Sequence, residues 1–236
     1  SAESQAAIGS EGKGGAINIE GGTINVDGGI DVRNSQLKGS NYMQGSKINL
    51  SGGELNINSG ANLKTFIGED INNKSTINLT DNGTINLAGG LRADISGNGN
   101  LNVKSSSALV DGDVSSSNLT FEADHSLSKL VSGTIGDLAS LNVNKGTLTY
   151  DKQTGKIGNL NVAGGLDIGT NTVNTTNVDF KDNSNLALRV AATDNYGKIN
   201  ADNITIGKDT TMKVTLDNGV VGNGENTDLK FLNGKV

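Results

Sequence analysis

Thr76-Ile77-Asn78-Leu79-Thr80-Asp81-Asn82-Gly83-Thr84-Ile85-Asn86-Leu87 is one short unit written twice. In each copy an Asn sits between two aliphatic residues, and a polar, glycine-containing corner separates the copies. A period of two puts both aliphatic side chains on one face of a strand and the Asn on the other. The same unit recurs at Ile17-Asn18-Ile19, Ile24-Asn25-Val26, Ile48-Asn49-Leu50, Leu55-Asn56-Ile57, Leu101-Asn102-Val103, Leu141-Asn142-Val143 and Leu160-Asn161-Val162. Variants place another residue in the middle: Ile30-Asp31-Val32, Leu119-Thr120-Phe121, Leu166-Asp167-Ile168, Val178-Asp179-Phe180, Ile204-Thr205-Ile206 and Met212-Lys213-Val214. Each strand is too short to bury its apolar face alone. Near-identical short units at quasi-regular spacing describe a solenoid, in which each winding is roofed by the next.

The spacing selects the kind of solenoid. Neighbouring units start close together, at 17, 24, 30 and 37 (Leu37), or at 160, 166 and 173 (Val173). Every third strand from Ile77 gives starts near 101, 119, 141, 160 and 178, or about 20 residues per coil, within the range of such repeats. The expectation is all-β: a right-handed parallel β-helix with about three short strands per coil, its hand set by the preference for right-handed crossovers. Gly-Gly, Asp81-Asn82-Gly83 and Ser51-Gly52-Gly53 fall at the corners, where residues that accept positive φ are expected. A helical 3.6 period is nearly absent. His125-Ser126-Leu127-Ser128-Lys129-Leu130-Val131 reads as a single helical turn, a bulge on one coil.

Composition agrees with this reading. Proline is absent, as expected where each internal strand must donate hydrogen bonds to a neighbouring coil. There are 34 glycines and 33 asparagines among 236 residues, far above ordinary asparagine usage. Hydrophobic residues make up 33% and aromatics 3%, which on composition alone leans toward disorder. The aliphatic residues are spaced rather than scattered, however, and a thin triangular core needs only about two per side. Absence of cysteine excludes disulfides and zinc–thiolate sites. It also suits a chain threaded unfolded across an outer membrane. No apolar run reaches the roughly 18 residues of a membrane helix. We read Ser1 to Val236 as a piece of something longer.

A net charge of −6, a pI near 4.8 and only three arginines (Arg33, Arg92, Arg189) leave no basic stripe. Tyr42, Tyr150, Tyr196 and four Phe are too few to form a base-stacking platform. Nucleic acid is therefore not an expected partner, nor is electrostatic docking to an anionic membrane. The acidic balance is read as what keeps a long exposed scaffold from sticking to itself.

From Asp194 the chain runs Asp194-Asn195-Tyr196-Gly197-Lys198-Ile199-Asn200-Ala201-Asp202-Asn203-Ile204-Thr205-Ile206, and it closes on Asp228-Leu229-Lys230-Phe231-Leu232-Asn233-Gly234. This segment resembles the end of autotransporter passenger domains. Upstream, Gly14-Gly15-Ala16-Ile17-Asn18-Ile19 and Gly21-Gly22-Thr23-Ile24-Asn25-Val26 resemble the β-helical stalks of type V secreted surface proteins, including self-associating adhesins. Residues 1–193 are accordingly expected to be stalk or passenger coils, and 194–236 to be coils like those preceding the barrel. The resemblance implies export to the bacterial cell surface, with membrane attachment only through a barrel outside this chain. The same texture occurs in two-partner-secreted exoproteins and Gram-positive surface proteins.

Catalytic motifs do not assemble. Polygalacturonase-type glycosidases share an Asn-x-Asp, an Asp-Asp, a Gly-His-Gly and an Arg-x-Lys. This chain has neither Asp-Asp nor Gly-His-Gly, and Val190-Ala191 follows Arg189. Glu20, Asp27, Asp31, Asp167 and Asp179 supply carboxylates without the fixed pairing that acid–base hydrolysis needs. Asp111-Gly112-Asp113 is the one tight acidic pair suggestive of calcium, and it is read as a solvated turn. His125, the only histidine, is read as exposed in a Ser-rich loop, without the context of a Ser–His–Asp site. No phosphate-cradling loop or calcium-binding nonapeptide occurs, so no cofactor or metal is expected. Sequons at Asn73, Asn82, Asn118 and Asn174 are expected by chance in so Asn-rich a chain.

What remains is a surface. If the aliphatic pairs face inward, the central Asn residues face outward in rows about 4.8 Å apart. A polar, uncharged face of this kind suits adhesion or self-association without catalysis, its partner being the chain itself or a host or bacterial surface glycan or protein. The alternatives are a carbohydrate-active β-helix enzyme or glycan-binding module, and an inert stalk.

Overall fold

Parallel backbone pairing joins each apolar–Asn–apolar strand to its equivalent one winding away. Ile77 lies beside Ile48 and Ile95, Asn78 beside Asn49 and Ser96, and Leu79 beside Leu50 and Gly97. The computed structural model describes residues 5–8, 16–20, 23–26, 29–32, 47–64, 76–220 and 227–236. The fold is a right-handed parallel β-helix with roughly three strands per winding. It divides into two units, residues 1–119 with 129–134, and residues 120–128 with 135–236. Of the sequence readings, Leu37, Tyr42, Asp27, Asn73, Gly14-Gly15 and Gly21-Gly22 lie outside the described residues.

In the first unit three sheets receive one strand per winding. Gln5–Ile8, Gly29–Val32, Asn62–Lys64, Gly90–Arg92 and Leu109–Asp111 form one. Ala16–Glu20, Lys47–Ser51, Thr76–Thr80 and Asp94–Gly97 form the second. Thr23–Val26, Glu54–Ile57, Thr84–Leu87 and Asn100–Val103 align in the third. Alternation does the rest: Leu55, Ile85 and Leu101 stack in register and are at most 2% exposed. Full burial of each such side chain is worth about 1.5–3 kcal/mol, and no winding gains it without its neighbours.

Register corrects the coil count. Ile77 stacks on Ile95, whereas Leu101 stacks on Ile85, so a series begun at Ile77 and continued at Leu101 changes sides. Strands of identical pattern occupy different sides of a winding, and periodicity cannot tell them apart. The windings themselves are unequal. Asn86 and Asn102 are 16 residues apart, Asn100 and Asn118 are 18 apart, and Asn56 and Asn86 are 30 apart.

In the second unit Leu138–Val143, Ile157–Val162, Thr172–Phe180, Lys198–Ile206 and Leu232–Lys235 pair in parallel. A second sheet runs through His125–Ser126, Thr147–Thr149, Gly165–Asp167 and Asn185–Ala192. Asn185–Ala192 also pairs in parallel with Thr211–Leu216, and Asn195–Tyr196 folds back on it antiparallel. The predicted helical turn is present at Leu127–Leu130. His125, expected in the open, is only 7% exposed. It is the register partner of Leu148, which stacks on Leu166 and then Leu186, so the imidazole fills a place in an aliphatic row. Its ring lies 5.9 Å from Phe121, and Nδ1 accepts the Ser126 N–H at 2.9 Å.

The corners follow two rules rather than one. Gly52 has φ of 70°, as expected of Ser-Gly-Gly, but in Asp81-Asn82-Gly83 the positive φ values (49° and 61°) belong to Asp81 and Asn82. Gly83 is required for room: a Cβ there would sit 2.1 Å from the Leu50 carbonyl oxygen of the adjoining winding. Gly60 is the converse case, with φ of 78° and nothing within 4 Å of an added Cβ. Gly83→Ala should therefore cost about 1–3 kcal/mol through forced separation of the windings. Gly60→Ala should cost about 1–2 kcal/mol through backbone strain alone. Urea unfolding checks both, and only Gly83→Ala should also weaken amide-exchange protection at Leu50.

Candidate functional site

The outward residues of the Asn-bearing strands are joined to one another along the stack. In the first unit Asn102 Nδ2 donates to Asn86 Oδ1 at 3.1 Å, and Asn86 Nδ2 donates to Asn56 Oδ1 at 2.8 Å. Beside that row, Asn118 Nδ2 donates to Asn100 Oδ1 and Asn100 Nδ2 to Thr84 Oγ1, each at 3.2 Å. In the second unit Asn161 donates to Asn142 at 2.8 Å and Asn142 to Thr120 Oγ1 at 3.1 Å. Two further rows run Asn203–Asn177–Asn159, at 2.9 Å per step, and Asn233–Asn200–Asn174, at 2.9 and 3.2 Å. These side chains are half-buried or exposed.

Parallel register is what creates the rows, since it sets like residues side by side at about 4.8 Å, close enough for one amide to reach the next. The rows have a direction: in every one of these bonds the donor belongs to the later winding. A carboxamide has two N–H donors and two acceptor lone pairs. At an interior rung one of each is used along the row, and at Asn118, Asn142 and Asn233 the second N–H goes to the Gly99 carbonyl, Ser140 Oγ and the Lys230 carbonyl. The row through Asn142 and Asn161 has Asp179 as its next register position. There the charge is matched by Lys181 at 2.5 Å.

A second recurring device holds the corners. Asp94 Oδ1 accepts the Asp113 N–H at 2.8 Å, and Asp113 Oδ1 accepts the Thr134 N–H at 2.7 Å. In the second unit Asp124 receives Thr147 at 2.8 Å, Asp137 receives Lys156 at 2.9 Å and Asp182 receives Lys208 at 2.7 Å. In each case the donor follows a glycine (Gly112, Gly133, Gly146, Gly155, Gly207), and a Cβ on that glycine would lie within 3.0 Å of the same carboxylate oxygen. Sequence reasoning missed this pairing. Its signal, an Asp one winding ahead of a Gly-x, has separations between 19 and 26 residues, so no fixed period exposes it.

The acidic pair thus has structural work on both sides. Asp111 pairs with Arg92 Nε at 2.9 Å and accepts the Ser132 hydroxyl at 2.9 Å, while Asp113 holds the Thr134 corner. Among the described residues no group of three or more His, Cys, Asp or Glu is placed to hold a metal ion. Asp167 caps the Gly169 N–H at 3.0 Å on one sheet, whereas Asp179 lies on another. The backbones of Glu20 and Asp31 likewise belong to different sheets. Tyr150 is buried, with its hydroxyl 2.8 Å from Thr154 Oγ1, and Tyr196 stands edge-on to Phe231 at 5.7 Å. Arg189 reaches Asp217 at 3.5 Å. Asn118 and Asn174, singled out as sequons, are members of amide rows. No helix among the described residues is long and apolar enough to cross a membrane.

Comparison with known family models, curated proteins and solved structures found no match to this chain.

Two substitutions separate the devices. Asn102→Asp sets a carboxylate against Asn86 Oδ1 and should cost about 1–3 kcal/mol, whereas Asn102→Thr, which copies the rung at Thr120, should cost less. Asp113→Ala leaves the Thr134 N–H without its acceptor and should cost a similar 1–3 kcal/mol, while Asp113→Asn keeps an oxygen in place and should be nearly silent. Urea midpoints of the four variants give both comparisons.

Proposed function

We propose that this chain is a non-catalytic segment of a bacterial cell-surface passenger of the autotransporter type, exported across the outer membrane, and that it mediates adhesion or self-association through its amide rows. The observation that carries this reading is the set of directional Asn rows. They form regularly spaced polar rungs on a surface where charge enters the row positions at Glu54, Asp179 and Lys235. The partner that best matches such a surface is another copy of it, because its rungs repeat at the same spacing. Each contact between faces is weak, about 0.5–1.5 kcal/mol per hydrogen bond. Strength comes from many rungs engaging together and from many copies displayed on one cell.

The acidic balance works against this attraction at long range and is screened beyond about 8 Å at physiological ionic strength. Beads coated with the chain should therefore clump more readily at 150 mM salt, roughly, than at a tenth of that. Asn142→Lys with Asn161→Lys should abolish clumping while leaving the circular dichroism spectrum of the fold. Clumping unaffected by the two lysines would remove the rows from the mechanism. Release of reducing ends or unsaturated products from a panel of polysaccharides would overturn the non-catalytic reading.

A further inference from the structure

Asn-Gly, the dipeptide in which the residue after an asparagine hinders its side chain least, occurs at Asn82, Asn98, Asn218, Asn223 and Asn233. Asn82-Gly83-Thr84 and Asn98-Gly99-Asn100 occupy the same corner of successive windings. Asn100 is the register partner of Thr84, and the Asn100 N–H donates to the Gly83 carbonyl at 2.8 Å. Both corners lie inside the stack. Gly83 packs on the Leu50 carbonyl of the winding before it, and the Gly99 carbonyl accepts the Asn118 N–H of the winding after it at 2.9 Å. Both asparagines are exposed and both glycines buried, so accessibility does not tell the two corners apart.

Their backbones do. Asp81 and Asn82 have φ of 49° and 61°, and the Gly83 N–H closes the turn on the Thr80 carbonyl at 2.8 Å. At the later corner the positive φ, 94°, belongs to Gly97 and not to Asn98, and the turn stays open: among the described residues the Gly99 N–H has no hydrogen-bond acceptor. The Asn98 side chain likewise makes no hydrogen bond among the described residues, whereas the amides of Asn100 and Asn102 are held in rows.

We propose that Asn98 is a self-modification site, converted by the chain's own backbone and water to aspartate and isoaspartate, while Asn82, also followed by glycine, is spared. Gly99 N attacks Asn98 Cγ and a C–N bond forms. The amide proton passes to solvent, the Cγ–Nδ2 bond breaks and ammonia leaves. Water then opens the cyclic imide at either carbonyl. At Asn82 the same attack must first break the bond to the Thr80 carbonyl, and a hydrogen bond given up on the way to the transition state adds directly to the barrier. The isoaspartate product lengthens the main chain by one carbon and sets a carboxylate two residues before the Asn100 rung. The corner has no slack for it, since an added Cβ at Gly99 would already lie 2.2 Å from the Gly83 carbonyl oxygen. Nothing in this chemistry depends on the proposed adhesion.

Peptide mapping of the whole folded chain, kept for several weeks in mildly alkaline buffer at body temperature, tests it through the mass gain and isoaspartate content at each position. Asn98 should convert about tenfold faster than Asn82, the ratio that one lost hydrogen bond contributes to a barrier. In chain unfolded by guanidinium the two rates should converge. Amide-exchange protection should fall at Asn100 and Asn118 as Asn98 converts, and Asn98→Gln, whose longer side chain needs a less favourable ring, should abolish both changes. Equal rates in the folded chain, or a faster Asn82, overturn the proposal. So does a folded chain in which neither position converts while both do so unfolded, because the fold then protects the open corner as well as the closed one. An advantage for Asn98 that persists undiminished in guanidinium also overturns it, since its cause is then local sequence and not the turn.

Discussion

In-register parallel pairing between windings is the constraint on which everything else in this molecule rests. It places aliphatic on aliphatic, which makes a core from strands only two to nine residues long. It places amide on amide, which turns isolated Asn side chains into hydrogen-bonded rows. It brings a carboxylate of one winding against the glycine corner of the next, which fixes the turns. A slip of one residue would reverse every side chain and destroy all three arrangements together. The three devices therefore reinforce a single register, the mutual consistency expected of a sequence that specifies one fold.

The molecule separates the jobs of its residues by direction. Inward positions take Ile, Leu and Val, with a few rings such as Phe121, Phe180 and His125. Outward positions take Asn and Thr, whose short side chains reach only as far as the next rung. Corners take Gly where the neighbouring backbone is close, as at Gly83, and Asp or Asn where the chain bends through positive φ, as at Asp81 and Asn82. Absence of proline follows from the same logic, because nearly every strand donates to a neighbour.

Much of this was legible in the sequence. The apolar–Asn–apolar unit specified strand, face and solenoid, and the aliphatic spacing foretold a thin core. The amide rows were legible too, since a central Asn repeated in parallel register has nowhere else to point. What could not be read was which winding side each unit occupies, because Ile77-Asn78-Leu79 and Ile85-Asn86-Leu87 carry the same local information while pairing in different sheets. The burial of His125 was hidden for a related reason: its partner Leu148 is 23 residues away, and a Ser-rich neighbourhood suggests solvent. The Asp-to-corner bonds escaped because unequal windings blur any fixed spacing.

Unequal windings have a practical corollary. Rungs stay aligned although the chain between them varies from 16 to 26 residues even where every intervening residue is described, so the stacked positions do not register the extra length. Such a body behaves as a ruler with adjustable tabs. Foreign peptides grafted at corners would be presented at intervals fixed by the strand spacing, and this gives evolution, or an engineer, a way to diversify what the surface shows while leaving its frame untouched.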